Sequence, residues 1–101
     1  MASSTPLPPT TPGEVLAEEF MEPLHISQNA LARALGVPAR LINQIVHGKR
    51  AITTRTALLL ARYFGTTPEF WINLQTHYDL VLEREKLAET LSHIVPYRAA
   101  C

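Results

Sequence analysis

Arg40, Asn43, Gln44 and His47 stand three, one and three residues apart, and Lys49 and Arg50 follow at once. At about 100° of rotation per residue the first four share one side of a helix. Their chemistry is hydrogen bonding. An arginine can bridge O6 and N7 of guanine, an asparagine or glutamine can pair with N6 and N7 of adenine, and Ala39, one residue earlier, can touch a thymine methyl. Lys49 and Arg50 supply unmatched positive charge suited to phosphate, which fixes register without reading sequence. The same polar side would also suit a helix that merely faces water.

The element that must position these groups is a short helix over about 38–47, whose Ile42, Ile45 and Val46 form the opposite, apolar side. Ahead of it Ser27 can cap another helix in which Leu31, Ala32 and Leu35 share a face. Gly36 suits the left-handed residue just past that helix, and Pro38 suits the first turn of the next. Two helices joined so tightly must cross steeply, the geometry of a helix-turn-helix.

Charge is segregated along the chain although it sums to zero over 101 residues. No Asp or Glu occurs between Glu22 and Glu69, an interval that holds Arg33, Arg40, Lys49, Arg50, Arg55 and Arg62. This predicts a local anion-binding face on an otherwise acidic body, with Arg55 and His47 beside Lys49 and Arg50 as further phosphate contacts. A hydrophobic share of 47% at this length implies one globular domain. The single cysteine, Cys101, allows no internal disulfide, and neither a spanning apolar run nor a secretory leader is visible. A soluble, cytoplasmic protein is the expectation.

Reading in order, Met1 to Thr10 is a Ser/Thr/Pro stretch expected to be a flexible tail over 1–10. Thr11-Pro12-Gly13-Glu14 fits a capping box opening a helix over about 12–22, which Pro23 is expected to end. Leu24 and Ile26 should plug the core edge, with His25 at the surface. Ile52 should anchor the loop after the polar helix. Thr53 or Thr54 caps a fourth helix to Phe64 with Ala57, Leu58, Leu60, Ala61 and Phe64 inward, and Leu59 outward beside Arg55 and Arg62.

Thr67-Pro68-Glu69 opens a last helix with no glycine or proline before Pro96. Phe70 and Trp71 are expected in the core. A span of 68–92 is roughly 36 Å long, more than a small domain can cover. Its distal apolar residues Tyr78, Val81, Leu82, Leu87 and Leu91 therefore suggest a dimer or partner surface, followed by a tail over 93–101. The fold expected is all-α, a compact five-helix helix-turn-helix domain over 11–92 with a long C-terminal helix.

Catalysis finds no support in the chain. His25, His47, His77 and His93 lack metal-ligand spacing, no glycine-rich phosphate loop is present, and Cys101 has no fixed base. No cofactor or metal is expected. An interaction module without DNA binding would be favoured by an acid on the polar face of 38–47, and there is none.

The order Thr11-Pro12-Gly13-Glu14, Ser27-Gln28-Asn29-Ala30-Leu31-Ala32, Ile42-Asn43, His47-Gly48-Lys49-Arg50, Thr56-Ala57-Leu58 and Pro68-Glu69-Phe70-Trp71-Ile72-Asn73-Leu74-Gln75 resembles HigA-type antitoxins. These are small members of the phage-repressor-like (Xre) helix-turn-helix family, and the likeness covers about 11–82. It implies a five-helix homodimer that binds palindromic operator DNA before its own operon and neutralises a HigB-type ribonuclease toxin. It also implies phosphate contact at Gln28 and base reading at Ala39, Arg40 and Gln44. The rotation argument selects Arg40 and Gln44 too, but sets Ala39 nearer the core. Related sequences often carry a polar residue in place of Leu59. A stand-alone Xre-type regulator without a toxin is the alternative, distinguished by whether a small basic protein is encoded beside this one.

Overall fold

Four of the helices begin on a side-chain hydroxyl, so the boundaries follow from local capping. Thr11 accepts from the Glu14 amide, Ser27 from Ala30, Thr53 from Thr56 and Thr67 from Phe70, at 3.0–3.3 Å. At Thr11 the capping box is complete, because the Glu14 carboxylate accepts from the Thr11 amide at 2.9 Å.

The computed structural model describes residues 10–97, which are all-helical. Residues 1–9 of the tail expected over 1–10, and residues 98–101 of the tail expected over 93–101, lie outside the described residues. Helix α1 runs in three joined stretches, Pro12–Val15, a π-helical Leu16–Met21 and Glu22–Leu24. Then come α2 (Gln28–Leu35), α3 (Ala39–Val46), α4 (Thr54–Phe64), α5 (Pro68–Lys86) and a short α6 (Ala88–Ser92).

Pro23 does not end α1. The helix runs on to Leu24 and stops at His25, which takes a left-handed conformation with φ 57°. There Ile26 N–H donates to Met21 O and His25 N–H to Glu22 O, closing the end. The wide π turn ahead of the proline loosens the ladder where its ring would clash, as the Glu22 N–H to Ala17 O bond shows. The same widening lets Leu16 and Met21, five apart, both be buried.

The core joins Leu16 and Met21 of α1, Leu31 and Ala32 of α2, Ile42 and Ile45 of α3, and Ala57, Leu60 and Ala61 of α4 to Ile52 and Trp71. Trp71 is fully buried at the base of α5, and its indole N–H donates to Thr66 Oγ1 at 2.7 Å, satisfying the one polar atom that burial would strand. Phe20 stacks on Phe64 and Trp71 with centroids 5.0 and 4.9 Å away, which ties α1 to α4 and α5.

Four side-chain placements differ from the sequence expectation. Leu24 is 58% exposed, because its helix ends at the surface and only Ile26 turns inward. Phe70 is 38% exposed, holding the rim of the aromatic cluster edge-on to Trp71. Leu58 is 54% exposed while Leu59 is half-buried, the reverse of the expected pair. The buried side of α4 centres on Thr56, Ala57, Leu60 and Ala61, and both leucines flank it, so small tilts of the helix decide between them.

The last helix also departs from a single span over 68–92. It turns at Leu87, with φ −99° and ψ 7°, and restarts at Ala88. No glycine or proline forces that break. Beyond Leu82 every residue of the arm up to Ser92 is exposed, so no packing contact holds a regular ladder at Leu87.

Candidate nucleic-acid interface

Helix α3 is the one long helix that begins without a side-chain cap, on Pro38 with φ −65° and ψ 144°. Its Ile42 and Ile45 are buried at 0% and 1% exposure, which fixes its roll about its own axis. Ala39, Arg40, Asn43 and His47 consequently face solvent, and Gln44 is half-buried. Ala39 therefore lies outward, not toward the core as rotation alone suggested, because the first turn of α3 projects past anything that could cover it.

The polar groups are held in place by hydrogen bonds. Asn43 Nδ2 donates to Gln28 Oε1 at 3.0 Å, linking the first residue of α2 to the middle of α3. The carbonyl of Asn43 accepts from His47 Nδ1 at 2.8 Å, so the other ring nitrogen is left for an outside partner. Arg50 Nε donates to Gln44 Oε1 at 2.8 Å, and these two line one shallow recess with Pro38, Arg40 and Leu41. Base-reading and phosphate-binding candidates are thus brought to one surface. Arg55 sits exposed in the first turn of α4 and makes no hydrogen bond or ion pair among the described residues.

The loop after α3 is set by two devices. Gly48 adopts φ 74°, and its amide and that of Lys49 donate back to Ile45 O and Gln44 O, closing the helix. Three residues on, the Ile52 amide donates to Gln75 Oε1 at 2.8 Å, while Ile52 itself is 3% exposed. Gln75 is also bonded to Asp79 Oδ1 at 3.0 Å. Thus α5 clamps the segment that carries Lys49 and Arg50, a role the helical period of α5 did not reveal.

Gly13 is a second positioning residue that periodicity missed. A Cβ there would overlap the carbonyl oxygen of Ile45, so only glycine lets the first turn of α1 rest on the last turn of α3. Its signal in the sequence was its place inside a capping box, where a better helix former would otherwise serve.

The only ion pair among the described residues joins His93 to Glu89 at 4.0 Å, on the far C-terminal arm. Arg33, Arg40, Lys49, Arg50, Arg55 and Arg62 form no ion pair among the described residues, and Asp79, which lines a recess with Lys49 and Arg50, accepts instead from Gln75, so the charge of these cations is available to an external anion. No group of three or more potential metal ligands occurs among the described residues, and none of their helices is long and apolar enough to cross a membrane.

The proposed partner residues of the last helix are placed in two tiers. Tyr78, Val81 and Leu82 are half-buried against the body, whereas Leu87 and Leu91 are exposed. Leu80, absent from the periodic set, is 45% exposed and stands seven residues before Leu87, with Ile94 exposed further on.

Comparison with known proteins identifies the family and the fold. Residues 18–71 match the Helix-turn-helix family. Virulence-associated protein I of Dichelobacter nodosus is 44% identical, over 94% of this chain and 87% of its own length. Antitoxin HigA-1 of Vibrio cholerae is 38% identical, over 87% of this chain and 83% of its own. Among solved structures, the Pseudomonas aeruginosa antitoxin HigA with the higBA promoter superimposes with a TM-score of 0.83 at 41% identity, covering 87% of this chain and 96% of that one.

Proposed function

The chain belongs to the HigA-type antitoxins of the helix-turn-helix family, and from that membership we propose that α3 reads the operator of its own operon while the chain neutralises a HigB-type toxin. It is a DNA-binding regulator and not an enzyme. The observation that carries the reading is the outer side of α3 with its following loop, where Arg40, Gln44 and Arg50 line one recess, Asn43 and Lys49 are exposed, and none of these cations forms an ion pair among the described residues.

The mechanism follows from the placement. A two-fold dimer presents two copies of α3 to successive major grooves of a palindrome, about one helical turn apart. Ala39, Arg40, Asn43 and Gln44 face base edges. Gln28, His47, Lys49, Arg50 and Arg55 meet the flanking phosphates and set the docking register. The second copy is accounted for by the exposed Leu80, Leu87 and Leu91 on the C-terminal arm, apolar area that one chain leaves uncovered. The site of action is the cytoplasm, where operon and toxin are both found.

A gel shift on the DNA upstream of the operon, paired with copurification of the neighbouring gene product, tests both halves. The expected result is a shifted band and a small basic protein retained with the chain. A shift without copurification would leave a stand-alone regulator. Absence of any shift would remove the reading.

A further inference from the structure

Gln44 has only one way to face the groove. A guanidinium N–H can donate and cannot accept, so the Gln44 atom 2.8 Å from Arg50 Nε must be the amide oxygen. That turns the two Nε2 protons of Gln44 away from Arg50, and they have no partner among the described side chains. Gln44 is half-buried on its own helix, and the recess it lines with Arg40 and Arg50 opens on the polar side of α3.

Building on the reading of α3 as a base-reading helix, we propose that Arg50 is a specificity-determining positioning residue, which holds Gln44 as a donor toward a guanine or thymine acceptor. An unrestrained glutamine would favour adenine, using its oxygen on the N6 amino group and its nitrogen on N7. With one lone pair of the oxygen held by the Arg50 guanidinium, whose positive charge disfavours a second donor there, that two-point contact is weakened on its accepting half. The N–H donors that face outward are matched best by guanine, which accepts at both O6 and N7, or by thymine O4, whereas adenine offers N7 alone beside its own N6 donor. Arg50 thereby acts on sequence through Gln44, in addition to attracting phosphate through its charge.

The rigidity of the arrangement supports this role. Gln44 is placed by buried Ile42 and Ile45 on its own helix, and Arg50 follows the Gly48 turn in a loop that Gln75 clamps at Ile52. The backbone at each end of the hydrogen bond is therefore held in place before any ligand arrives. Arg50 is exposed, so replacing it disturbs no core.

Selection from a randomised double-stranded DNA library with the full-length chain tests the inference. Wild type, Arg50→Lys, Arg50→Met, Gln44→Ala and the double variant Gln44→Ala/Arg50→Lys are compared at one salt concentration. The operator column that loses its preference in Gln44→Ala identifies the base that Gln44 reads. That column is expected to be guanine or thymine in wild type. In Arg50→Lys, which keeps the charge but not the fixed Nε donor, it should move toward adenine by about tenfold in relative preference, the lower range for one base-edge contact. Arg50→Met should move it likewise while weakening every sequence, and Arg50→Lys should change nothing further once Gln44 is Ala. An unchanged column in Arg50→Lys, or adenine already in wild type, overturns the inference and leaves base reading by α3 standing. A wild-type selection with no sequence preference overturns the base reading itself and the inference with it.

Discussion

The polar surface of α3 and the distal arm of α5 and α6 are opposites in how far one chain completes them. On α3, Asn43 is tied to Gln28 and Gln44 to Arg50, and the helix is seated by Ile42, Ile45 and the close approach of Gly13. On the arm, Leu80, Leu87, Leu91 and Ile94 are between 38% and 61% exposed, and the ladder itself breaks at Leu87. The first region is pre-organised for its ligand, which lowers the ordering cost of binding. The second leaves apolar area in solvent, of the kind that a second chain would cover.

The contrast can be broken most strongly where the two regions share a foundation. Trp71→Ala removes the buried ring between α1, α4 and α5, and should cost about 3–5 kcal/mol, read as a lower denaturation midpoint together with loss of operator binding. Next in size, Leu87→Glu with Leu91→Glu should leave the helical content intact while the chain elutes as a monomer, and operator affinity should fall at least about 100-fold as the second half-site becomes independent. An unchanged dimer would move the partner surface elsewhere.

Smaller changes sharpen the α3 side. Arg40→Ala should cost about 1–3 kcal/mol on the preferred operator and flatten one base position in a binding-site selection. Lys49→Ala should weaken all sequences alike and reduce the steepness of the salt dependence by about one contact per half-site. With around six phosphate contacts per dimer, log K for the wild type should fall against log salt with a slope near −5. A flat response in a titration would show that phosphate neutralisation is not what holds this face to DNA.

The boundaries of α2 and α4 and the start of α5 were legible because each is set by neighbours in the chain: a hydroxyl cap at Ser27, Thr53 or Thr67, and a left-handed glycine at Gly36 or Gly65. The outward set Arg40, Asn43 and His47 was legible for the same reason, since helical rotation is a local property. Where rotation left a residue on the flank, as with Leu58 and Leu59 or Ala39, it could not choose, because burial there depends on what the next helix covers.

By itself, then, the sequence determined the helices, the sign of the charge on α3 and which side chains point away from its apolar stripe. Only the tertiary structure decided that Pro23 is carried inside α1 behind a π turn, that Gln75 holds the Lys49–Arg50 loop, that Gly13 admits α1 onto α3, and that Arg50 meets Gln44. For Gln75 and Gly13 the physical reason is range, and for Pro23 and Arg50 it is a backbone path, a π turn or a glycine turn, that ideal helical rotation does not describe. Caps and rotation act over three or four residues, whereas Gln75 to Ile52 and Gly13 to Ile45 are contacts between segments more than twenty residues apart, which no local period encodes.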